Sequence, residues 1–157
     1  MMDKNTHFMH IAIQLSIKNI EDGGGPFGAV IVLDDEIIGK GVNRVVLDND
    51  PTAHAEVNAI RSACQYLQHF DLSGCVIYSS CEPCPMCLSA MYWARIKQIY
   101  YGNSKLDAAR INFDDAFIYK ELSLDPEMRQ LAAHQMMEHE AKVAFQKWTL
   151  KTDKTKY

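Results

Sequence analysis

The sequence predicts an α/β domain, a sheet with parallel strand pairs covered by helices. Three observations carry this. Helical and extended patterns alternate in the order α-β-β-α-β-α-β, and a strand–helix–strand crossover, the connection parallel neighbours require, occurs twice. Of the 157 residues, 48% are hydrophobic, enough for one sizeable core. No repeat, low-complexity tract or linker divides the chain, so residues 1–157 read as a single domain.

Taken in order, residues 7–21 carry Phe8, Ile11, Ala12, Leu15 and Ile20 close to helical spacing, and Gly23-Gly24-Gly25-Pro26 stops the helix. Ala29-Val30-Ile31-Val32-Leu33 is a β-branched run that turns at Asp34-Asp35, and Glu36 to Val42 returns as a second strand. The loop Asp48-Asn49-Asp50-Pro51-Thr52 leads into a helix over 53–68, with Val57, Ile60, Ala63, Cys64 and Leu67 as its buried stripe. Cys75 to Ser80 reads as a third strand, Cys81 to Pro85 as a turn, and a helix follows to about Ala94. Gln98 to Tyr101 is a fourth strand ended by Gly102. Residues 103–127 look irregular apart from a short helix at Leu106 to Arg110; a final helix spans Gln130 to Leu150, and the polar tail from Lys151 to Tyr157 is extended.

Composition narrows the function classes. The formal net charge is −4, which argues against a large nucleic-acid partner, since such proteins carry a basic face. No apolar run approaches the roughly 20 residues needed to span a bilayer. The start, Met1-Met2-Asp3-Lys4-Asn5-Thr6-His7, lacks a basic region followed by an apolar stretch. Three of the five cysteines crowd into Cys81 to Cys87. That suits metal-bound thiolates in a reducing compartment better than a disulfide framework, so the expected location is cytoplasmic.

The chemistry lies in His54-Ala55-Glu56 and Pro83-Cys84-Pro85-Met86-Cys87. One imidazole and two thiolates fill three tetrahedral positions of a zinc ion and leave the fourth open to a water, the arrangement of a catalytic rather than a structural site. Two thiolates offset the charge of Zn²⁺, so its Lewis acidity is modest and a neighbouring base is needed. Glu56 is that base. His54 and Glu56 open one helix and Cys84 and Cys87 another, where the partial positive charge of the helix start favours anionic side chains.

Plainer readings compete. A C-x-x-C between a strand and a helix also fits a thioredoxin-like redox pair, though that leaves the separate His54-Ala55-Glu56 as coincidence. A zinc ribbon needs a fourth protein ligand, and Cys81 is the only cheap candidate. Cys64 and Cys75 read as small core residues. His7, His10, His69, His134 and His139 read as surface residues.

H-x-E…P-C-x-x-C is the signature of the zinc deaminases, and the chain resembles the cytidine deaminase superfamily, specifically its bacterial guanine deaminase branch. Three blocks carry the superfamily likeness: Gly24-Gly25-Pro26-Phe27-Gly28-Ala29-Val30-Ile31-Val32, Asn49-Asp50-Pro51-Thr52-Ala53-His54-Ala55-Glu56, and Ser80-Cys81-Glu82-Pro83-Cys84-Pro85-Met86-Cys87. Tyr92-Trp93-Ala94-Arg95 extends it, while Phe113-Asp114-Asp115 and the final Lys156-Tyr157 point to the guanine branch. The resemblance implies a three-layer α/β/α fold with a mixed five-stranded sheet. It implies one zinc per chain at His54, Cys84 and Cys87, with Glu56 moving protons. Substrate contacts would come from Asn43, Asp115 and Tyr157, with Phe27, Trp93 and Ala55 lining the pocket. It further implies hydrolysis of guanine to xanthine and ammonia, a role in purine metabolism, and a homodimer in which the segment 151–157 crosses to cover the partner's site. The rivals are a tRNA-specific adenosine deaminase and a non-catalytic zinc-stabilised interaction domain.

Overall fold

A hairpin starts the sheet. Asp34 and Asp35 both take positive φ, 48° and 65°, the pattern of the tight turn that matches strand twist. Around this turn β1 (Gly28–Leu33) and β2 (Glu36–Val42) pair antiparallel, with Leu33 opposite Glu36 and Gly28 opposite Val42. The structure, a computed structural model, describes Asp3–Tyr157. Strand β1 also pairs antiparallel with β3 (Val76–Cys81), which pairs parallel with β4 (Gln98–Asn103), giving the order β2-β1-β3-β4.

The alternation along β1 builds two layers of core. Ala29 and Ile31 point into a cluster with Ala55, Ala59 and Ala63 of α3 (Ala55–Leu67) and Cys87 and Met91 of α4 (Pro85–Trp93). Val30 and Val32 point the other way, onto Phe8 and Ala12 of α1 (Lys4–Glu21) and Tyr78. Helices therefore lie on both faces, and α4 is the crossover that makes β3 and β4 parallel. Small residues bring α3 close to the sheet: a Cβ on Gly41 would stand 2.1 Å from the Ala55 carbonyl oxygen.

Several sequence expectations shift. The buried stripe of α1 is Phe8, Ala12, Ser16 and Asn19, whereas Ile20 is exposed. One turn of helix, α2 (Val45–Asp48), fills the loop before α3. Among the described residues the sheet has four strands, not the five the resemblance implies. After β4 the Ser104 hydroxyl and the Asp107 carboxylate complete a capping box that turns the chain into α5 (Lys105–Arg110) instead.

One compact unit runs to Asp115 and holds the sheet; a second spans Ala116–Tyr157. The second contains α6 (Ala116–Leu122), a 3-10 turn at Pro126–Met128 and α7 (Glu138–Leu150). The expected start of α7 at Gln130 is eight residues early, because Met137 takes a left-handed φ of 52° and the helix begins after it. Neither α6 nor α7 buries a residue, and Phe145 and Leu150 remain 76% and 79% exposed.

Candidate active site

Two helix starts converge. His54 is the N-cap of α3 and Cys84 the N-cap of α4, both with extended backbone, and Pro85 occupies the first turn where its missing N–H costs nothing. Cys87 follows one turn on, fully buried. The Nδ1 of His54 lies 3.5 Å from Cys84 Sγ and 3.4 Å from Cys87 Sγ. A tetrahedral zinc, with its usual bond lengths, sets imidazole nitrogen and thiolate sulfur roughly 3.5 Å apart. These residues fit the ion. They are also the one group of three candidate donors within ligand reach of one another among the described residues.

The charge state suits a cation. The Cys84 thiol is held down at about 4, chiefly by a hydrogen bond with Cys87 and also by His54. The same Cys84 contact and burial push Cys87 up. His54 is raised, first by its bond to Cys84. The two thiols and the imidazole thus hold protons between them that a dication would displace.

Glu56 is buried beside this cluster, and burial is the first cause that pushes its carboxyl up. Its Oε2 accepts from Cys87 Sγ at 3.4 Å and its Oε1 from Ser79 Oγ at 3.3 Å. Ser79 was missed by the sequence reading. The available signal was Ser79-Ser80, two hydroxyls ending an otherwise apolar buried strand; Ser80 Oγ accepts the Gly28 N–H at 3.0 Å. Asn58 was missed too. Its Nδ2 donates to the carbonyls of Val42 at 2.9 Å and Ala53 at 3.3 Å, tying the end of β2 to the approach to His54. Cys81 stands outside the donor group. Its Sγ points to the Ser104 carbonyl at 3.8 Å, and burial followed by the charge of Glu56 pushes its thiol up to about 11.

Asn43 is buried just beyond β2; its N–H donates to the Phe27 carbonyl at 3.1 Å and its Oδ1 accepts from the Val45 N–H at 3.3 Å. Phe27 packs against the core cluster that contains Ala55 and Cys87, with its ring edge-on to Phe113 at 4.9 Å. Asp115 is pushed up first by burial and then by the charge of Cys84. Ala55 is fully buried, so the group it presents at the helix start is its backbone N–H. Trp93 ends α4 and is 70% exposed, and Tyr157 lies in the second unit. The described residues form no helix long and apolar enough to cross a membrane.

Residues 2–103 match the model of the cytidine and deoxycytidylate deaminase zinc-binding region. The chain is 48% identical to the guanine deaminase of Bacillus subtilis over 151 residues, 96% of this chain and 97% of that one. The X-ray structure of the Bacillus subtilis guanine deaminase superposes with a TM-score of 0.93 over the same shares. A tRNA-specific adenosine deaminase of Agrobacterium fabrum is 44% identical over 101 residues, 64% of this chain and 66% of the relative.

Proposed function

Because the chain belongs to the cytidine and deoxycytidylate deaminase family, we propose that it hydrolyses guanine to xanthine and ammonia. One observation carries the choice of base. The likeness to the guanine deaminase runs through 96% of this chain, second unit included, whereas the likeness to the tRNA deaminase covers 64%. The overall charge of −4 points the same way, since an RNA loop calls for a basic surface.

His54, Cys84 and Cys87 would hold the zinc. When bound it polarises a water and makes its proton easier to remove. Glu56 accepts that proton as oxygen adds to C2 of the purine, delivers it to the ring nitrogen beside C2, and assists protonation of the departing amine. A buried carboxyl suits this double duty, because burial raises its affinity for the proton while the charge of the neighbouring His54 opposes that rise. Asn43 and Asp115 supply donors and acceptors for the edges of the base, and Phe27 a flat apolar surface for its ring. Ala55 offers its N–H, and Trp93 and Tyr157 complete the pocket.

The last two contacts belong to a wider reading. The enzyme is a cytoplasmic homodimer in purine metabolism, with the segment 151–157 reaching a partner's site. The absence of any buried residue in α6 and α7 supports a covering second copy, and the five free thiols support a reducing compartment. A panel of guanine, adenine, cytosine, their nucleosides and tRNA, scored for ammonia release and inosine, tests the assignment. Guanine turnover far above the rest is expected; inosine formation in tRNA at a matching rate overturns it, and zinc retention with no turnover on any base assigns a non-catalytic domain.

A further inference from the structure

Asn19 lies on the buried face of α1, and the reaction scheme above does not use it. It is 3% exposed. Its side-chain nitrogen donates twice, to the carbonyl of Gly25 at 2.8 Å and to that of Asn43 at 2.7 Å. The Gly25 carbonyl also accepts from the Phe27 N–H at 2.8 Å, and the Phe27 carbonyl from the Asn43 N–H at 3.1 Å. One buried amide therefore closes a ring of hydrogen bonds through the two segments that present Phe27 and Asn43.

The ring is tightly packed. A Cβ on Gly24 would stand 2.3 Å from the Asn19 amide nitrogen and 2.6 Å from the Asn43 carbonyl oxygen, and one on Gly25 would meet Asn43 Oδ1 at 2.9 Å. Phe8 and Ala12 on the same stripe pack on the sheet through apolar contact with Val30, Val32 and Tyr78. Burying an amide there carries a desolvation penalty, offset where both its hydrogens reach carbonyls that need a fixed partner.

We propose that Asn19 is a positioning residue for base recognition. Its amide sets the Asn43 carboxamide and the Phe27 ring, and through them governs how tightly guanine is held. This rests on the reading that Asn43 contacts the base.

The test uses the zinc-loaded full chain with Asn19→Ala, Asn43→Ala and the double variant. Asn19→Ala raises KM for guanine about tenfold, the worth of one well-placed hydrogen bond, and lowers kcat by less. Zinc content and circular dichroism stay normal. The double variant matches Asn43→Ala alone, because residues acting through one contact are non-additive. Asn19→Ser, which keeps one donor, falls between the wild type and Asn19→Ala. Additive effects, or a change in melting temperature with KM unaltered, overturn the proposal. So does failure of both Asn19 variants to fold with zinc, which assigns the residue to the scaffold. An unchanged KM in Asn43→Ala beside a raised one in Asn19→Ala refutes the base-contact reading itself, and the route through Asn43 with it.

Discussion

At the scale of single residues, the division between ligand and neighbour is sharp. Cys84 and Cys87 lie within 3.5 Å of His54 Nδ1, while Cys81, only three positions earlier, points to a backbone carbonyl and keeps its proton to about 11. Cys84→Ala is therefore expected to lose zinc and Cys81→Ala to retain it, as metal analysis of the purified proteins will read. Glu56→Gln preserves size but not basicity. It should keep zinc and fold while turnover drops on the order of 10²–10⁴-fold, the range for a lost general acid/base. The ligands and Glu56 were legible because each residue type is scarce and the spacing is short. Ser79 and Asn19 were not. A serine ending a strand and an asparagine in a helix become informative only once their faces are known to be buried.

At the scale of elements, local pattern sufficed where local chemistry decides. The Asp34-Asp35 turn, β1, β2 and the two ligand-bearing helices follow from runs of β-branched residues, helical spacing and caps. It failed at the last helix, which the left-handed Met137 cuts short; the fifth strand came from the resemblance, whereas the pattern itself gives four strands and the short helix that the Ser104 capping box starts. Helix α3 carries His54 and Glu56 at its start and sits on β2 through Gly41, whose added Cβ would press on backbone atoms of Ala55 at 2.1 Å and Ala59 at 2.3 Å. Gly41→Ala must push the helix away. We expect a loss of about 1–3 kcal/mol, read as a melting temperature lower by roughly 2–4 °C per kcal/mol, together with reduced zinc content as the two helix starts separate.

At the scale of the whole molecule, the sheet-bearing unit holds the candidate zinc ligands and Glu56, and the unit from Ala116 to Tyr157 holds none of these four residues. If the latter covers a partner's site, deleting residues 152–157 should lower guanine turnover sharply with zinc content normal, because a lid excludes water and adds a contact. Mixing that truncated protein with Glu56→Gln, each defective in a different half, should restore part of the activity in hybrid dimers. Kinetics unchanged by the deletion would discard the lid, and no recovery in verified hybrids would discard the exchange between chains.

The hairpin has a use of its own. Strand β1 runs from Gly28, beside Phe27 and the ring of hydrogen bonds, to Leu33 at the turn, so the Asp34-Asp35 tip lies a strand's length of about 20 Å from the chemistry. It holds Lys4 by an ion pair between groups that are both largely in solvent. A tether belongs there. A peptide tag inserted at that tip, or a surface coupled through it, is anchored a strand's length from Phe27 and Asn43. An immobilised layer of this protein could then report free guanine as released ammonia without its anchor crowding the catalyst.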